Sequence, residues 1–343
     1  MSNRLIEPNP EGPGYTHEFD DGPPAAQYER LAQIDRHFLE QLDRLPPIGT
    51  LSVEEERARM QAGQTKTIDE YPVEVREVKT PGCAVHLISP LGARSPAPIL
   101  FFIHGGGWAL GDLSTHTEIV CELALRTQSV VAFIDYPRAP ENPFPAPLEA
   151  CVTAVSSVLD QAESLQLDRS RFAIGGDSSG GNLCAAVVLS AIERGLPLPA
   201  CQILLYPVTN HDWTTDSYRQ FATNPNLSQF TMEWFWQNYL SEQALGAQPR
   251  VSPLRAADQL LAQFPPTLIV TCEYDVLRDE GEKFAARLIA AGVNVAAVRW
   301  LGALHGFLVT ESLASSVSAR ICIDMIAQYI LRGFGESSAS SAQ

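Results

Sequence analysis

The sequence has no run of basic residues, and its charge leans the other way: 24 Lys and Arg stand against 40 Asp and Glu, a net charge of -16 over 343 residues. Such a field repels nucleic acid and anionic membrane surfaces, so no nucleic-acid partner is expected. Long hydrophobic runs are missing too. No stretch approaches the roughly 20 apolar residues of a membrane-spanning helix, and the opening MSNRLIEPNPEGPGYTHEFDDGPP lacks the apolar core of a secretory leader. A cytoplasmic protein with no membrane anchor is the expectation. Cysteines are single and odd in number (Cys83, Cys121, Cys151, Cys184, Cys201, Cys272, Cys322), with no C-x-x-C pair. That excludes a disulfide framework and points to buried free thiols. The seven histidines show no H-E-x-x-H or similar spacing, so no metal is implied. An internal repeat is also absent.

What the chain does contain is a globular balance, 45% hydrophobic and 19% charged, enough for one large domain with insertions or for two domains. Residues 1–24 are rich in Pro, Gly and acidic side chains and are read as irregular. Helical spacing of Leu31, Ile34, Phe38, Leu42 and Leu45 predicts a helix over 28–45, stopped by Pro46-Pro47. A second helix is predicted over 52–64, opened by Ser52 and Glu55 as a capping box. Val73, Val75 and Val78, then residues 84–88, read as a strand pair. From 99 onward apolar strands (99–103, 130–134, 172–174, 201–205, 268–271, 293–300) alternate with helices (116–126, 148–161, to 192, 280–290, 314–331). This predicts an α/β fold with a mostly parallel, eight-stranded sheet and helices on both faces. The alternation is interrupted over 208–250, where MEWFWQNYL is read as helical material lining a pocket with aromatic groups, the alternative being a helix buried on one side by the core. Residues 335–343, GESSASSAQ, read as a disordered tail.

The chemistry gathers at strand ends. In FAIGGDSSGG, Ser178 lies between Gly176 and Gly180, the G-x-S-x-G spacing that presents a serine on a sharp strand-to-helix turn. A serine hydroxyl needs a base within reach and a carboxylate to orient that base. Ligands of open parallel sheets bind at the carboxyl ends of strands. There Asp275 follows one predicted strand and His305 another, in the chain order Ser, Asp, His. Asp279 and Glu273 are rival acids. The glycine run of His104-Gly105-Gly106-Gly107 can turn backbone N–H groups toward a developing oxyanion. Gly106 and Gly107 are assigned as donors, with Gly105 as a substitute and the Ser179 N–H as the third. His104 is read as orienting this loop, and His116 and His211 as solvated or hydrogen-bonded.

With these residues in view the chain resembles the hormone-sensitive-lipase-like branch of the α/β-hydrolase superfamily, bacterial esterases that include acetyl esterases. The resemblance covers roughly residues 95–330 and rests on FFIHGGGWALGDLSTH, DYPRAPENPFPAPLEA, GGDSSGGNLCAA, ILLYP, MEWFWQNYL, VSPLRA, YDVLRDEG and ALHGF. It implies a serine carboxylesterase of small esters, with Ser178 as nucleophile, Asp275 as orienting acid, His305 as general base, an acyl-enzyme intermediate and no cofactor. It also implies a helical cap built from residues 1–69 and 208–250 over a catalytic domain of residues 70–335. The chain departs from the usual pattern at Ser179, where Ala is common, at Pro137-Arg138, and at Val276, where Pro is usual. The Ser179 hydroxyl is expected to alter acyl preference or compete for His305. Amide or lactone hydrolysis by the same triad is the alternative enzyme reading. A small-molecule receptor on the same scaffold is the binding reading, and His305, lost in such receptors, argues against it. The edge strands of such a fold can support a homodimer.

Overall fold

The computed structural model describes residues 33–335. The predicted first helix lies partly outside them. Its described portion, α1 (Gln33–Leu42), ends three residues before Leu45. Leu45 precedes Pro46, which disfavours helical backbone, and is half-exposed. The second helix, α2 (Val53–Ala62), carries the predicted box: Ser52 Oγ accepts the Glu55 N–H and Glu55 Oε2 accepts the Ser52 N–H at 2.9 Å.

Eight strands form one sheet: β1 (Val73–Thr80), β2 (Cys83–Pro90), β3 (Ala97–Ile103), β4 (Val130–Asp135), β5 (Leu167–Asp177), β6 (Gln202–Leu205), β7 (Thr267–Tyr274) and β8 (Val295–Leu304). Their spatial order is β1-β2-β4-β3-β5-β6-β7-β8. The first two pairings, β1 on β2 and β2 on β4, are antiparallel and all the others parallel. Every residue of β3 is buried, as its unbroken apolar run requires of a strand covered on both faces.

Helices α3 (Leu113–Thr127), α4 (Ala146–Asp160) and α5 (Ser179–Arg194) follow β3, β4 and β5. The step from β3 to β4 runs one way across the sheet, and the step from β4 to β5 runs back past β3. Since parallel crossovers are right-handed, this reversal puts α3 and α4 on opposite faces. It also makes β3 and β5 flank a topological switch point, where a crevice opens at the carboxyl ends of the strands. The sheet therefore delivers the His104–Gly107 loop and the Ser178 turn to one place.

Between β6 and β7 the insertion carries α6 (Asp216–Phe221), α7 (Gln229–Tyr239) and the short α8 (Asp258–Leu261). Helix α9 (Arg278–Ala290) then links β7 to β8. The last predicted helix is split into α10 (Glu311–Ala314) and α11 (Val317–Gly333), because Ser316 caps a new start by accepting the Ala319 N–H. The aromatic residues of α7 are mostly core. Tyr239 stacks on Trp108 at 4.3 Å and Trp236 packs on it at 4.4 Å, so these two side chains fill space between insertion and sheet. The expected disordered tail after residue 335 lies outside the described residues, as do residues 1–24.

Candidate active site

Ser178 stands between the end of β5 and the start of α5 with φ 54° and ψ -121°, an unusual backbone for a residue with a side chain. Its N–H donates to Leu205 O at 2.8 Å, and its carbonyl accepts from Asn182 and Val208. The flanking glycines are explained by close approach. A Cβ on Gly176 would lie 2.3 Å from Ile103 O, and one on Gly180 would lie 2.0 Å from the same atom. Only residues without side chains let β5 and α5 press this closely on the end of β3.

Asp275 directly follows β7 and His305 directly follows β8. The structure brings both to Ser178. His305 Nδ1 is 2.7 Å from Asp275 Oδ2, and His305 Nε2 is 3.0 Å from Ser178 Oγ. A carboxylate only accepts, so Nδ1 carries the proton and Nε2 is left to accept from the serine hydroxyl. The other oxygen, Asp275 Oδ1, accepts the Leu277 N–H at 2.9 Å. Asp275 is buried, and the imidazole stands edge-on to the buried ring of Tyr206 at 4.9 Å. The rival acids are committed elsewhere: Asp279 accepts the Ser217 N–H and pairs with Arg278, while Glu273 accepts the Gly302 N–H.

The glycine loop passes over the Ser178 turn. Gly105 N–H donates to Asp177 Oδ1 at 2.9 Å, and Ala109 N–H and Leu110 N–H close a turn onto Gly106 O. Gly106, Gly107 and Trp108 in succession have φ of 104°, 59° and 60°. Among the described residues no acceptor takes the N–H of Gly106, Gly107 or Ser179. Phe235 of α7 lies directly on Gly107, its Cδ1 only 1.9 Å from where a Cβ would be.

Ser179 departs from expectation, whereas His116 takes the hydrogen-bonded alternative. The Ser179 hydroxyl turns away from His305 and accepts the Trp108 N–H at 3.1 Å, pinning the glycine loop from below. His116 is not solvated. It is buried with Nε2 3.2 Å from Asp177 Oδ1, beside the nucleophile position. Burial opposes charge on Asp177, yet His116 and the Gly105 N–H outweigh it and hold the carboxyl below the usual range. His211 is half-buried, edge-on to Trp213 and Trp236, and burial lowers its basicity. His104 does orient the loop: its Nδ1 is 2.8 Å from Gly105 O and its ring stacks on Tyr136 at 4.2 Å. Burial, aided by His116, pushes His104 down to about 3, so it is a neutral structural group.

Other residues at the site carry no local sequence signal. Asn226 Nδ2 donates to His305 O at 2.7 Å and holds the histidine turn to the insertion. Arg57 of α2 reaches Ala109 O in the glycine loop at 2.8 Å. Among the described residues no group of three or more His, Cys, Asp or Glu side chains could hold a metal ion. Nor is any described helix long and apolar enough to cross a membrane.

Residues 100–309 match the family described as alpha/beta hydrolase fold. A carboxylic ester hydrolase of Mycobacterium tuberculosis, LipN, is 41% identical over 251 residues, 69% of this chain and 65% of the relative. The chain belongs to the hormone-sensitive-lipase-like branch of the α/β-hydrolase superfamily. Carboxylesterase NlhH from the same bacterium is 34% identical over 275 residues, 78% of this chain and 86% of the relative. A thermostable esterase from Pseudomonas putida superposes with a TM-score of 0.85 at 33% identity, covering 89% of this chain and 98% of that one. This α/β-hydrolase is thus a carboxylic ester hydrolase.

Proposed function

We propose that this esterase hydrolyses short- to medium-chain acyl esters through an acyl-enzyme at Ser178. His305 is the general base, Asp275 the acid that orients it, and the N–H groups of Gly106, Gly107 and Ser179 the oxyanion donors. The observation that carries the reading is the unbroken line from Asp275 Oδ2 through His305 to Ser178 Oγ, with contacts of 2.7 and 3.0 Å. Ser178 Oγ attacks the ester carbonyl carbon as His305 Nε2 takes its proton. The carbonyl oxygen becomes the tetrahedral oxyanion among N–H groups that have no other acceptor among the described residues. On collapse the carbon–oxygen ester bond breaks, the alkoxide takes the proton from His305, and the acyl group stays on Ser178. Water then repeats the sequence and releases the acid.

The N-terminal segment and the insertion are proposed to form one helical cap over this site. Thr231 Oγ1 of α7 donates to Ile48 O, and the Trp234 ring occupies the space above Gly49, so the two segments touch. With Phe235 on Gly107, the cap supports a limit on acyl length. All seven cysteines are free, which supports a reducing compartment, the cytoplasm.

Turnover of p-nitrophenyl acetate, butyrate, octanoate and decanoate tests the reading, with Ser178→Ala as control. Hydrolysis is expected to decline toward the longest chain and to fall by about 10⁴-fold or more in the variant, whose thermal melt stays intact. Turnover by Ser178→Ala, or no reaction of the wild-type protein with an organophosphate, would sink it.

A further inference from the structure

We infer that Arg57 is a positioning residue that locks the loop bearing the oxyanion donors to helix α2, so that the donors are ordered only while α2 is seated. The inference rests on the proposed roles of Gly106 and Gly107. Its basis is one guanidinium that gathers three segments far apart in sequence. Arg57 Nε donates to Ala109 O at 2.8 Å, and Nη2 donates to Ala139 O at 2.9 Å. Nη1 and Nη2 together form a fork on Glu141 Oε1 and Oε2 at 2.7 and 2.8 Å. The Arg57 side chain is only 17% exposed, so its bonds to the two carbonyls are partly shielded from competing water, while Glu141 is half-exposed. A planar guanidinium can serve two carbonyls and a carboxylate at once, whereas an ammonium on a flexible stem cannot match that geometry.

The loop needs such an anchor. Three successive residues have positive φ; the Trp108 ring is held by its packing on Trp236 and Tyr239, but Gly106 and Gly107 have no side chain to select their conformation. The loop's floor is set by Asp177 on Gly105 and by Ser179 on Trp108. Its outer side is held by Arg57 on Ala109, by the Ala139 N–H on Trp108 O, and by Arg138 on Gly111 O. Arg57 joins the first two of these outer contacts, because it holds Ala139 O and Ala109 O together. Ala109 itself is tied to Gly106 O, so a shift at Ala109 is passed to the donor residues.

Helix α2 is in turn fixed to the segment beneath α7. Glu56 Oε1 accepts the Gly49 N–H at 2.8 Å, and Arg59 Nη1 donates to Pro46 O at 2.7 Å. A displacement of the N-terminal segment therefore pulls on Arg57 and through it on the glycine loop. Arg57 touches none of the reacting atoms. Its effect on catalysis runs through the backbone it holds.

The test compares wild-type protein with Arg57→Ala, Arg57→Lys and Glu141→Gln in the full chain. It reads kcat and KM on p-nitrophenyl butyrate, thermal melting, and the inactivation rate by diethyl p-nitrophenyl phosphate, whose phosphoryl oxygen uses the same donors. Removing one oxyanion donor outright lowers kcat by about 10²–10³-fold, so loosening the loop should lower it by roughly 10–100-fold. Arg57→Ala should lose kcat and inactivation rate together, hold KM within about twofold, and regain part of both on addition of millimolar guanidinium. Arg57→Lys should recover little, and Glu141→Gln should fall between wild type and Arg57→Ala. A raised KM with unchanged kcat, or a kcat loss that guanidinium leaves unmoved, overturns the inference. If Arg57→Ala fails to fold, the lysine variant decides, and a wild-type kcat there overturns it equally. Ser178→Ala separates the two readings: residual turnover in that variant indicts the assigned nucleophile, while an inactive Ser178→Ala beside a fully active Arg57→Ala indicts Arg57 alone.

Discussion

Glu280 offers the sharpest physical test of how the acid loop is built. It lies in the first turn of α9, five residues beyond Asp275, and is fully buried. One oxygen accepts the N–H groups of Thr209 and Asn210 at 2.6 and 3.1 Å, and the other has no partner among the described residues. Burial, resisted by those two N–H groups and reinforced by Asp275 and Asp212, pushes the carboxyl from 4.5 up to about 8. The folded pKa thus exceeds the unfolded one. Below 4.5 both states hold the proton and nothing is lost. Between 4.5 and 8 the unfolded chain releases the proton while the folded protein keeps it, so stability falls by about 1.4 kcal/mol per pH unit. Above 8 both states are ionised and the loss levels off at roughly 4–5 kcal/mol. Glu280→Gln keeps an acceptor for Thr209 and Asn210 and cannot ionise, but it buries unpaired amide hydrogens at a cost of about 1–3 kcal/mol. The variant should therefore be the less stable protein at pH 5 and gain on wild type by about 4 kcal/mol by pH 8. Urea unfolding of both proteins at pH 5, 6, 7, 8 and 9 measures the difference. Parallel stability profiles across that range would refute the reasoning, since they would mean that Glu280 titrates alike in both states.

Two further expectations concern the glycine loop. Ser179→Ala removes the only acceptor of the Trp108 N–H among the described residues, a buried donor, and should lower unfolding free energy by about 1–3 kcal/mol. It should also reduce kcat on p-nitrophenyl butyrate several-fold with KM unchanged, and an unaltered kcat would mean that the hydroxyl does not position the loop. Gly107→Ala places a Cβ inside the Phe235 ring at a residue with φ 59° and should abolish turnover. Gly107→Ala with Phe235→Ala should recover a measurable fraction, which a double-mutant cycle on kcat/KM reads directly.

What was legible in the sequence, and what was not, divides by the range of the forces involved. The strands were visible because burial on both faces demands continuous apolar runs such as Ile99–Ile103, and the turn at Ser178 because backbone crowding tolerates only glycine at 176 and 180. Asp275 and His305 were visible because the fold puts chemistry at strand ends, so position relative to a predicted strand substitutes for three-dimensional contact. Contacts that depend on the path of a loop leave no such trace. His116 reads like any helix residue until its 3.2 Å approach to Asp177, 61 positions away, makes it a buried polar partner of that carboxylate. Ser179 looks like a neighbour competing for His305, yet helix α5 aims its side chain at Trp108 because residue 179 begins that helix on the face toward the glycine loop. The packing of Trp236 and Tyr239 in α7 leaves no sequence trace for a related reason. Trp108 is turned by its positive φ into the space beneath α7, and that one buried ring draws Trp236 and Tyr239 into packing that no periodicity encodes. In each case the missing information is the conformation of residues 105–111. The same loop holds the proposed oxyanion donors, so the part of the site hardest to read from sequence is the part whose geometry most directly sets the rate.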